Sequence, residues 1–202
     1  MSIKNILFLA ACIVALLLLN SCFMGSSILF LESDAEGKPN LILNPEFDTD
    51  PQSSQSMPQG WMLMGSSRNN EASICCDRAV FLAGTQSLRI KNSRKHLMII
   101  SDAFRINGQS GYYIKASAKS TNLRGSKIKL HFIAYNAAGN IRNTFKSSLW
   151  TTDNWKKTTI SAGFLKKDVN FGRVLIIVPP TEDETIWIDD LGCFQVHHFG
   201  IN

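Results

Sequence analysis

The sequence predicts an all-β fold, an antiparallel β-sandwich. Through most of the 202-residue chain, short apolar segments alternate with turns rich in glycine, asparagine and proline, a spacing typical of sandwiches and barrels. Two segments, residues 112–119 and 127–135, carry apolar residues at every second position, as a strand with one buried face does. No segment after residue 21 combines helical periodicity with capping residues.

The predicted strands begin at residue 40 and end near residue 194. The first, residues 40–48, and the last, residues 186–191, are short and apolar and end in carboxylates. We expect these two segments to pair and so to join the two ends of the folded domain. The other predicted strands are residues 60–64, 82–92, 96–104, 112–119, 127–135, a segment after the turn at 136–140, 155–162 and 173–178. A domain of this length can bury a sizeable core.

Four carboxylates lie at the ends of the first and last predicted strands. They are Glu46, Asp48, Asp189 and Asp190. Like charges held in contact repel each other, so carboxylates rarely gather without a cation. If the strands pair, these side chains converge on a hard cation such as Ca²⁺, which prefers oxygen ligands. The alternative is that all four are solvated at the rims of the sheets.

The middle of the chain is strongly basic. Residues 85–173 contain 17 lysines and arginines and only three acidic residues. With residues 1–21 removed, 20 basic residues face 16 acidic ones, a net charge of +4. Part of this charge falls on the polar positions of the two alternating segments, which we expect to be neighbouring strands. These positions are Tyr113, Lys115, Lys119, Lys127, Lys129, His131 and Tyr135.

Such a polar face predicts a site for an anionic ligand. Aromatic rings can contact apolar parts of a ligand while polar groups form hydrogen bonds with it, and lysine and histidine favour an anionic partner. Trp150 lies beside a polar turn and joins the set. The predicted ligand-binding residues are Tyr113, Lys115, Lys129, His131, Tyr135 and Trp150. The alternative is a solvated basic face beside an anionic membrane.

The N-terminal residues predict export. Lys4 precedes a continuous apolar run from Ile6 to Leu19, which suits a signal-peptide core and is shorter than a typical transmembrane helix. The run ends in the sequence Leu-Asn-Ser-Cys at residues 19–22. This resembles the lipobox of bacterial lipoproteins, in which the cysteine becomes the lipidated N-terminus. We therefore predict a signal peptide at residues 1–21 and lipidation of Cys22.

Residues 22–39 are predicted to form the lipidated cysteine and a polar tether. A signal anchor that stays in the membrane is the alternative, because Phe23, Met24 and residues 28–31 extend the apolar character beyond Cys22. In both cases the folded domain lies outside the cytoplasm and is attached to a membrane.

Three cysteines follow Cys22, namely Cys75, Cys76 and Cys193. In an oxidising compartment Cys193 can pair with either of the other two, and simple buried thiols are the alternative. The sequence contains no C-x-x-C motif and no zinc-ligand spacing.

Five short motifs follow one another along the chain: NLILNPEFD at 40–48, PQGW at 58–61, GTQSLRI at 84–90, YYIKASAK at 112–119 and IWIDDL at 186–191. In this order they resemble the carbohydrate-binding modules of the CenC-like group, jelly rolls with a galactose-binding-like fold. The resemblance implies one such domain over residues 40–194 and a short tail at 195–202. It also implies a structural Ca²⁺ between the first and last strands. Asp48 stands where the family has Glu, and Asp189 or Asp190 stands at its closing Asp.

The sequence carries no recognisable catalytic constellation. It lacks H-E-x-x-H, G-x-S-x-G and a phosphate-cradling glycine motif, and its acids form no pair suited to glycoside hydrolysis. We therefore predict a non-catalytic, carbohydrate-binding lipoprotein of the bacterial cell envelope, at the outer membrane or cell surface, whose partner is a polysaccharide or glycoconjugate. The alternative is an adaptor that uses the same sandwich to bind an envelope protein. Export excludes nucleic acid as the partner, despite a sequence pI of about 9.0.

Overall fold

The structure is a computed structural model, and it describes residues 28–48, 57–65 and 72–200. Two antiparallel sheets pack face to face, which confirms the predicted β-sandwich. Within the described residues there is no α-helix, and the helical element is a single 3₁₀ turn at Glu32–Ala35. The signal peptide, Cys22 and the predicted lipobox lie outside the described residues. None of the described helices is long and apolar enough to cross a membrane.

Eleven strands form the two sheets in the described part of the chain. Their bounds are β1 Trp61–Leu63, β2 Ser73–Asp77, β3 Ser87–Lys91, β4 Leu97–Ser101, β5 Phe104–Arg105, β6 Ser110–Ser120, β7 Lys127–Asn136, β8 Ile141–Trp150, β9 Lys156–Ala162, β10 Val169–Val178 and β11 Thr185–His198. The predicted strands after residue 60 all have counterparts here. Strand β2 was not predicted, because its sequence SICCD does not alternate polar and apolar residues.

Sheet I has the strand order β1-β4-β10-β7-β8, with β5 also paired to β10. Sheet II has the order β2-β3-β11-β6-β9. The expectation that the two alternating segments are neighbours is therefore wrong, because β6 belongs to sheet II and β7 to sheet I. The connection at residues 121–126 crosses from one sheet to the other, so their polar positions lie on opposite outer surfaces of the molecule.

The core lies between the sheets and is built from the apolar positions that the alternation predicted. Tyr112 and Ile114 of β6 and Leu130 and Phe132 of β7 are at most 1% exposed. The ring centroid of Phe132 lies 5.8 Å from that of Tyr112. Burying such side chains stabilises the sandwich by about 2 kcal/mol for each large residue.

The opening segment, residues 40–48, is not a strand but a series of bends and turns. Asn44 and Phe47 adopt left-handed backbone angles, with φ of 53° and 58°, and such residues interrupt an extended strand. The segment nevertheless lies against the last strand. The Leu41 N–H donates to the Cys193 carbonyl at 2.9 Å, and the Leu191 N–H donates to the Pro45 carbonyl at 3.3 Å. The predicted pairing of two strands is therefore wrong, although the two ends of the domain do meet, through isolated hydrogen bonds.

Both predicted boundaries of the domain lie further out in the structure. Phe30 is buried, and its N–H donates to the Ser161 hydroxyl of β9 at 2.8 Å. Glu32 forms ion pairs with Lys115, at 3.6 Å, and with Lys157. The segment predicted as a polar tether is thus packed on the outer surface of sheet II. At the other end, β11 continues through most of the predicted tail, as far as His198.

The three described cysteines are free. Cys193 points into the core and is fully buried, while Cys75 and Cys76 are partly exposed on β2. No disulfide joins the last strand to β2, and the alternative of simple thiols holds for the described residues. Burial raises the pKa of the Cys193 thiol strongly, so this side chain stays protonated.

Candidate functional site

The outer surface of sheet I, called here the sheet I face, combines an apolar floor with basic side chains. Antiparallel pairing places β7 between β10 and β8. His131 therefore lies between Leu175 and Lys146, and Lys129 lies between Ile177 and Ser148. Residues paired across strands point to the same side of a sheet, so these side chains form continuous rows.

The floor of the sheet I face is apolar. Ile100, Ile133 and Leu175 are at most 6% exposed, although they point away from the main core. Partly exposed side chains from four strands cover them. These are Met62, Met98, Tyr135 and Ile177. A shallow depression of about 340 Å³ opens beside Tyr135, and Phe171 and Arg173 line its far side.

A second depression of about 350 Å³ lies over β7 and β8 on the same face. Its lining residues are Lys127, Lys129, His131, Lys146, Ser147, Ser148 and Ile177. No described acidic residue forms an ion pair with any of its three lysines, because the ion pairs of the described residues lie elsewhere. The depression is therefore a positively charged surface without a counter-ion from the described chain.

Two titratable side chains on the sheet I face are shifted by their surroundings. Burial lowers the pKa of His131, and the charges of Lys146 and Lys129 lower it further. Burial has the opposite effect on Tyr135 and raises its pKa, because the charged form of a tyrosine is the deprotonated one. At neutral pH the histidine is therefore uncharged, and the tyrosine is a neutral ring with a hydroxyl that can donate or accept a hydrogen bond.

A second cluster gathers carboxylates at the junction of the opening segment and β11. Asp189 is fully buried and accepts hydrogen bonds from the N–H groups of Leu82 and Ala83, at 2.6 and 3.0 Å. Asp48 accepts from the N–H and the hydroxyl of Thr85, at 3.1 and 2.7 Å. The loop between β2 and β3 therefore holds the carboxylates in place through its backbone.

Glu46 completes this cluster, and Gly84 makes room for it. A Cβ at Gly84 would overlap the Glu46 carboxylate and lie 2.7 Å from Oδ2 of Asp48. Burial, followed by the charges of Asp48, Asp189 and Asp190, raises the pKa of Glu46. Burial is also the main cause of the raised pKa of Asp189. These carboxylates are thus close enough to repel one another.

Asp190 turns away from the other three acids. Its carboxylate accepts from Lys115 Nζ at 2.6 Å on the outer surface of sheet II. Among the described residues, no group of three or more His, Cys, Asp or Glu side chains has the arrangement of a metal site. The structure thus brings Glu46, Asp48 and Asp189 close together but does not arrange them as a metal site. The Ca²⁺ site stays a prediction.

Comparison with known proteins identifies the fold. No family model matches the chain, and no curated protein matches it. Among solved structures, it is similar to a family 16 carbohydrate-binding module, with TM-score 0.55, 14% identity and coverage of 77% of this chain and 100% of that one. A xylan-binding domain from Paenibacillus barcinonensis gives TM-score 0.51, 12% identity and coverage of 75% and 91%. This chain therefore shares the β-sandwich fold of these domains.

A larger protein contains a similar domain. The chain matches an arabinose-bound α-L-arabinofuranosidase of family GH51, with TM-score 0.57, 13% identity and coverage of 77% of this chain. It spans 26% of that enzyme's length. At these identities the likeness concerns the fold alone. The likeness to the CenC-like group in particular stays a resemblance of motifs.

The two sheets of the sandwich separate the six predicted ligand-binding residues into two sets. Lys129, His131 and Tyr135 lie together on the sheet I face. Trp150 pairs with Lys127 at one end of the same face and is 61% exposed. Four of the six predicted residues therefore share one surface.

Tyr113 and Lys115 lie on the outer surface of sheet II. Tyr113 is 3% exposed and packs with Phe30 and Ala35 of the N-terminal segment. Lys115 is held between the carboxylates of Asp190 and Glu32, at 2.6 and 3.6 Å. These two predictions are corrected, because sheet assignment and the packed N-terminal segment remove both side chains from the sheet I face.

Sequence reasoning missed several residues of the sheet I face. Met62, Phe171 and Arg173 line the apolar depression, and Lys146 lines the basic one. The alternation on β8 and β10 was available as a signal for Lys146 and Arg173. The pairing of β10 with β7, which brings the two sets together, depends on tertiary structure.

Proposed function

We propose that this protein is a non-catalytic carbohydrate-binding protein that takes an anionic glycan on the sheet I face. One observation carries the proposal. An apolar floor with the rings of Tyr135 and Phe171 lies directly beside three lysines without ion-pair partners among the described residues. The similarity in fold to known carbohydrate-binding modules supports it.

The chemistry of the face suits a charged sugar. An aromatic ring and an apolar floor can cover the C–H face of a sugar ring, and serine and histidine side chains can pair with hydroxyls. The lysines add attraction for carboxylate or sulfate groups. From Lys127 to Tyr135 the strand rises about 27 Å, so the face can take a chain of several sugars. Uronate polymers and sulfated glycans are the favoured ligand classes.

Affinity gel electrophoresis with a matched pair of polymers tests the proposal. Polygalacturonate should retard the purified protein more than its fully methyl-esterified form, because esterification removes only the charge. Each exposed charge pair is worth about 1 kcal/mol, so Lys129→Gln and Lys146→Gln should each weaken binding to polygalacturonate about fivefold. Tyr135→Ala should weaken binding to both polymers.

Lys156→Gln provides the matched control, because Lys156 is an exposed lysine on β9 of sheet II. It should leave retardation unchanged. Equal losses for Lys156→Gln and Lys129→Gln would mean that net charge, and not the sheet I face, governs binding. No retardation by acidic or neutral polymers, sulfated glycans included, would overturn the proposal. A stable protein partner recovered instead would favour the adaptor alternative.

We also propose that Glu46, Asp48 and Asp189 contribute to a structural Ca²⁺ site. Support comes from the approach of Glu46 and Asp48 to Gly84, from the hydrogen bond that holds Asp189 at the neighbouring Ala83, and from the raised pKa values of Glu46 and Asp189, since a cation would offset the repulsion. Their carboxylate oxygens are the donors that Ca²⁺ prefers. A bound cation would hold the opening segment against the loop between β2 and β3.

The pH dependence of stability distinguishes this site from solvated acids. Because their pKa values are raised, Glu46 and Asp189 destabilise the metal-free protein as the pH rises past their ordinary pKa values, 4.5 for Glu46 and 3.8 for Asp189. Calcium needs the deprotonated carboxylates, so its stabilising effect should grow over the same range. At a calcium concentration of 100 times Kd it should add about 2.7 kcal/mol. Equal melting temperatures in excess chelator and in calcium at pH 7 would contradict the site.

We further propose that the protein is attached to a bacterial envelope membrane through a lipid on Cys22. The lipobox-like sequence at residues 19–22 and the apolar run before it support this attachment. Metabolic labelling with an alkyne analogue of palmitate should mark the wild-type chain, and Cys22→Ser should abolish the label. Labelling that persists in Cys22→Ser would contradict lipidation at this residue.

A further inference from the structure

One end of the sandwich exposes large apolar side chains around the first described residues. Leu29 is 76% exposed, Leu31 is 57% exposed and Phe164 is 66% exposed. The Phe164 ring stacks on Phe199, with ring centroids 5.2 Å apart. Exposed apolar side chains grouped in this way commonly mark a contact surface. We call this group, with Leu29, Leu31, Phe164 and Phe199, the apolar end.

The N-terminal segment is fixed on the domain in a way that turns its leucines outward. The ring of Phe30 covers Gly111, where a Cβ would overlap it. The Phe30 N–H donates to the Ser161 hydroxyl at 2.8 Å, and that hydroxyl donates to the Phe30 carbonyl at 3.3 Å. Because Phe30 points inward, its neighbours Leu29 and Leu31 face solvent.

Basic side chains stand beside the apolar end. Lys166 and Lys167 are exposed in the same loop as Phe164, and a Cβ at Gly108 would overlap the backbone of both lysines. Asp168, the acid that follows them, is paired with Arg142 at 2.9 Å. Glu32 is likewise paired, with two lysines of sheet II. The two loop lysines therefore remain available to an outside partner.

Chain length places this end close to the membrane. Five residues separate Cys22 from Ile28, and an extended chain covers about 3.5 Å per residue. The first described residue thus lies within about 20 Å of a lipid attached to Cys22. If the apolar run of residues 6–19 instead stays in the bilayer, nine residue steps lead from Leu19 to Ile28 and the limit is about 32 Å. Because Phe30 is packed on sheet II, the apolar end is also the part of the domain nearest to the membrane.

The backbone of Phe164 supports an outside contact. Its φ is 52°, in the left-handed region where glycine and asparagine are preferred and a bulky residue is strained. At an exposed position with left-handed backbone angles, a small polar residue gives the more stable fold. A phenylalanine there, stacked on a second ring, indicates that the side chain serves a contact that the isolated domain does not make.

We propose that the apolar end docks on an anionic lipid bilayer. Leu29, Leu31 and Phe164 enter the interfacial region, and Lys166 and Lys167 contact lipid phosphates. This combination of apolar insertion and basic side chains is the usual basis of interfacial binding. The inference rests on the membrane attachment proposed above.

Docking would also orient the sheet I face. Asn136, at the end of β7, pairs with Val169 close to the loop that carries Phe164. Lys127, at the start of β7, pairs with Trp150 at the opposite end of the sandwich. With the apolar end on the bilayer, β7 rises from the membrane, and a glycan on the sheet I face extends outward toward Trp150.

Hydrogen exchange of the full-length lipidated protein in nanodiscs tests the inference. Peptides covering residues 28–31 and 163–167 should exchange more slowly in nanodiscs containing phosphatidylglycerol than in phosphatidylcholine nanodiscs. Peptides covering residues 121–126, at the opposite end, should exchange equally in both. Replacing both Lys166 and Lys167 by Gln should lower the protection in anionic nanodiscs about thirtyfold, because each lysine near an anionic surface contributes about 1 kcal/mol.

Phe164→Asn separates docking from folding. Asparagine tolerates the left-handed backbone, so the melting temperature should stay the same or rise while the protection of residues 28–31 falls. Leu123→Asn is the control, because Leu123 is 80% exposed at the opposite end; it should leave protection unchanged. A Phe164→Asn variant with full protection would overturn the role of Phe164.

The remaining outcomes identify which step fails. A chain that does not stay with the nanodiscs would overturn both membrane attachment and docking. A chain that stays with them but shows no slowed exchange at the apolar end, or equal slowing at both ends, would overturn docking alone. Retardation by glycan, measured on the same preparation, tests the sheet I face separately. Loss of retardation with slowed exchange at the apolar end would mean that glycan binding fails and docking holds.

Discussion

Asn40 is the residue that most directly joins the start of the domain to its last strand. Its Nδ2 donates to the Leu191 carbonyl at 3.0 Å, and its Oδ1 accepts from the Cys193 N–H at 3.0 Å. Oδ1 also accepts from the Ile42 N–H at 3.2 Å. The Asn40 side chain therefore supplies β11 with hydrogen bonds of the kind that the backbone of a paired strand would supply.

Substituting Asn40→Ala should destabilise the protein by about 2 to 3 kcal/mol. Two hydrogen bonds to β11 are lost, each worth about 1 kcal/mol net, and the Cys193 N–H is left without its partner in a buried strand. For a domain of this size the melting temperature should fall by about 5 to 10 °C. Urea denaturation followed by tryptophan fluorescence measures the free energy of unfolding.

Asn154→Ala is the matched control. The Asn154 side chain lies in an exposed turn and donates only to Asp153, at 3.1 Å. Its loss should change the free energy of unfolding by less than about 0.5 kcal/mol. If Asn40→Ala costs no more than this control, the contact between the opening segment and β11 contributes little, and the interpretation of residues 40–48 as a structural clip is wrong.

Three further substitutions test other parts of the structure. Gly84→Ala should lower the free energy of unfolding by about 1 to 2 kcal/mol, because the φ of Gly84 is left-handed at 63°. The same substitution should also reduce the increase in melting temperature that calcium causes. Gly139→Ala is the control: its φ is 81° and the space around its Cβ position is open, so it should show only the backbone cost. For His131, whose pKa is lowered in the free protein, an anionic glycan favours the protonated ring. Affinity for polygalacturonate should therefore rise as the pH falls below 6.5, and calorimetry across that range should find a flatter profile for His131→Gln. Cys193→Ser should cost about 1 to 3 kcal/mol in urea denaturation, because it buries a hydroxyl in the core, whereas Cys75→Ser on partly exposed β2 should cost less than 1 kcal/mol.

The predicted strands were accurate where alternation was strict. In β6 and β7 the apolar parity of the sequence is the parity that points into the core between the sheets, because a period of two leaves one arrangement that directs those apolar side chains to the same face. The opening segment failed as a strand for the opposite reason. Its apolar residues at 41–43 are consecutive and do not alternate with polar ones, and the left-handed angles of Asn44 and Phe47 could not be inferred from residue type.

The candidate site was predicted in part. Lys129, His131, Tyr135 and Trp150 share the sheet I face because they occupy polar positions on strands of one sheet. Tyr113 also occupies a polar position of an alternating strand, but the N-terminal segment that contains Phe30 covers it. The alternation of a strand shows which side chains leave the core; it does not show whether another segment covers them.

Local patterns were sufficient to establish that this chain forms a β-sandwich and which faces of its strands point into the core. Those properties follow from side-chain periodicity, which is carried by neighbouring residues. The division of strands between two sheets, the packing of residues 28–36 on sheet II and the exposure of Phe164 required the three-dimensional structure. They depend on contacts between residues more than 100 positions apart, such as Phe30 with Ser161, and no local pattern specifies which distant partner is chosen.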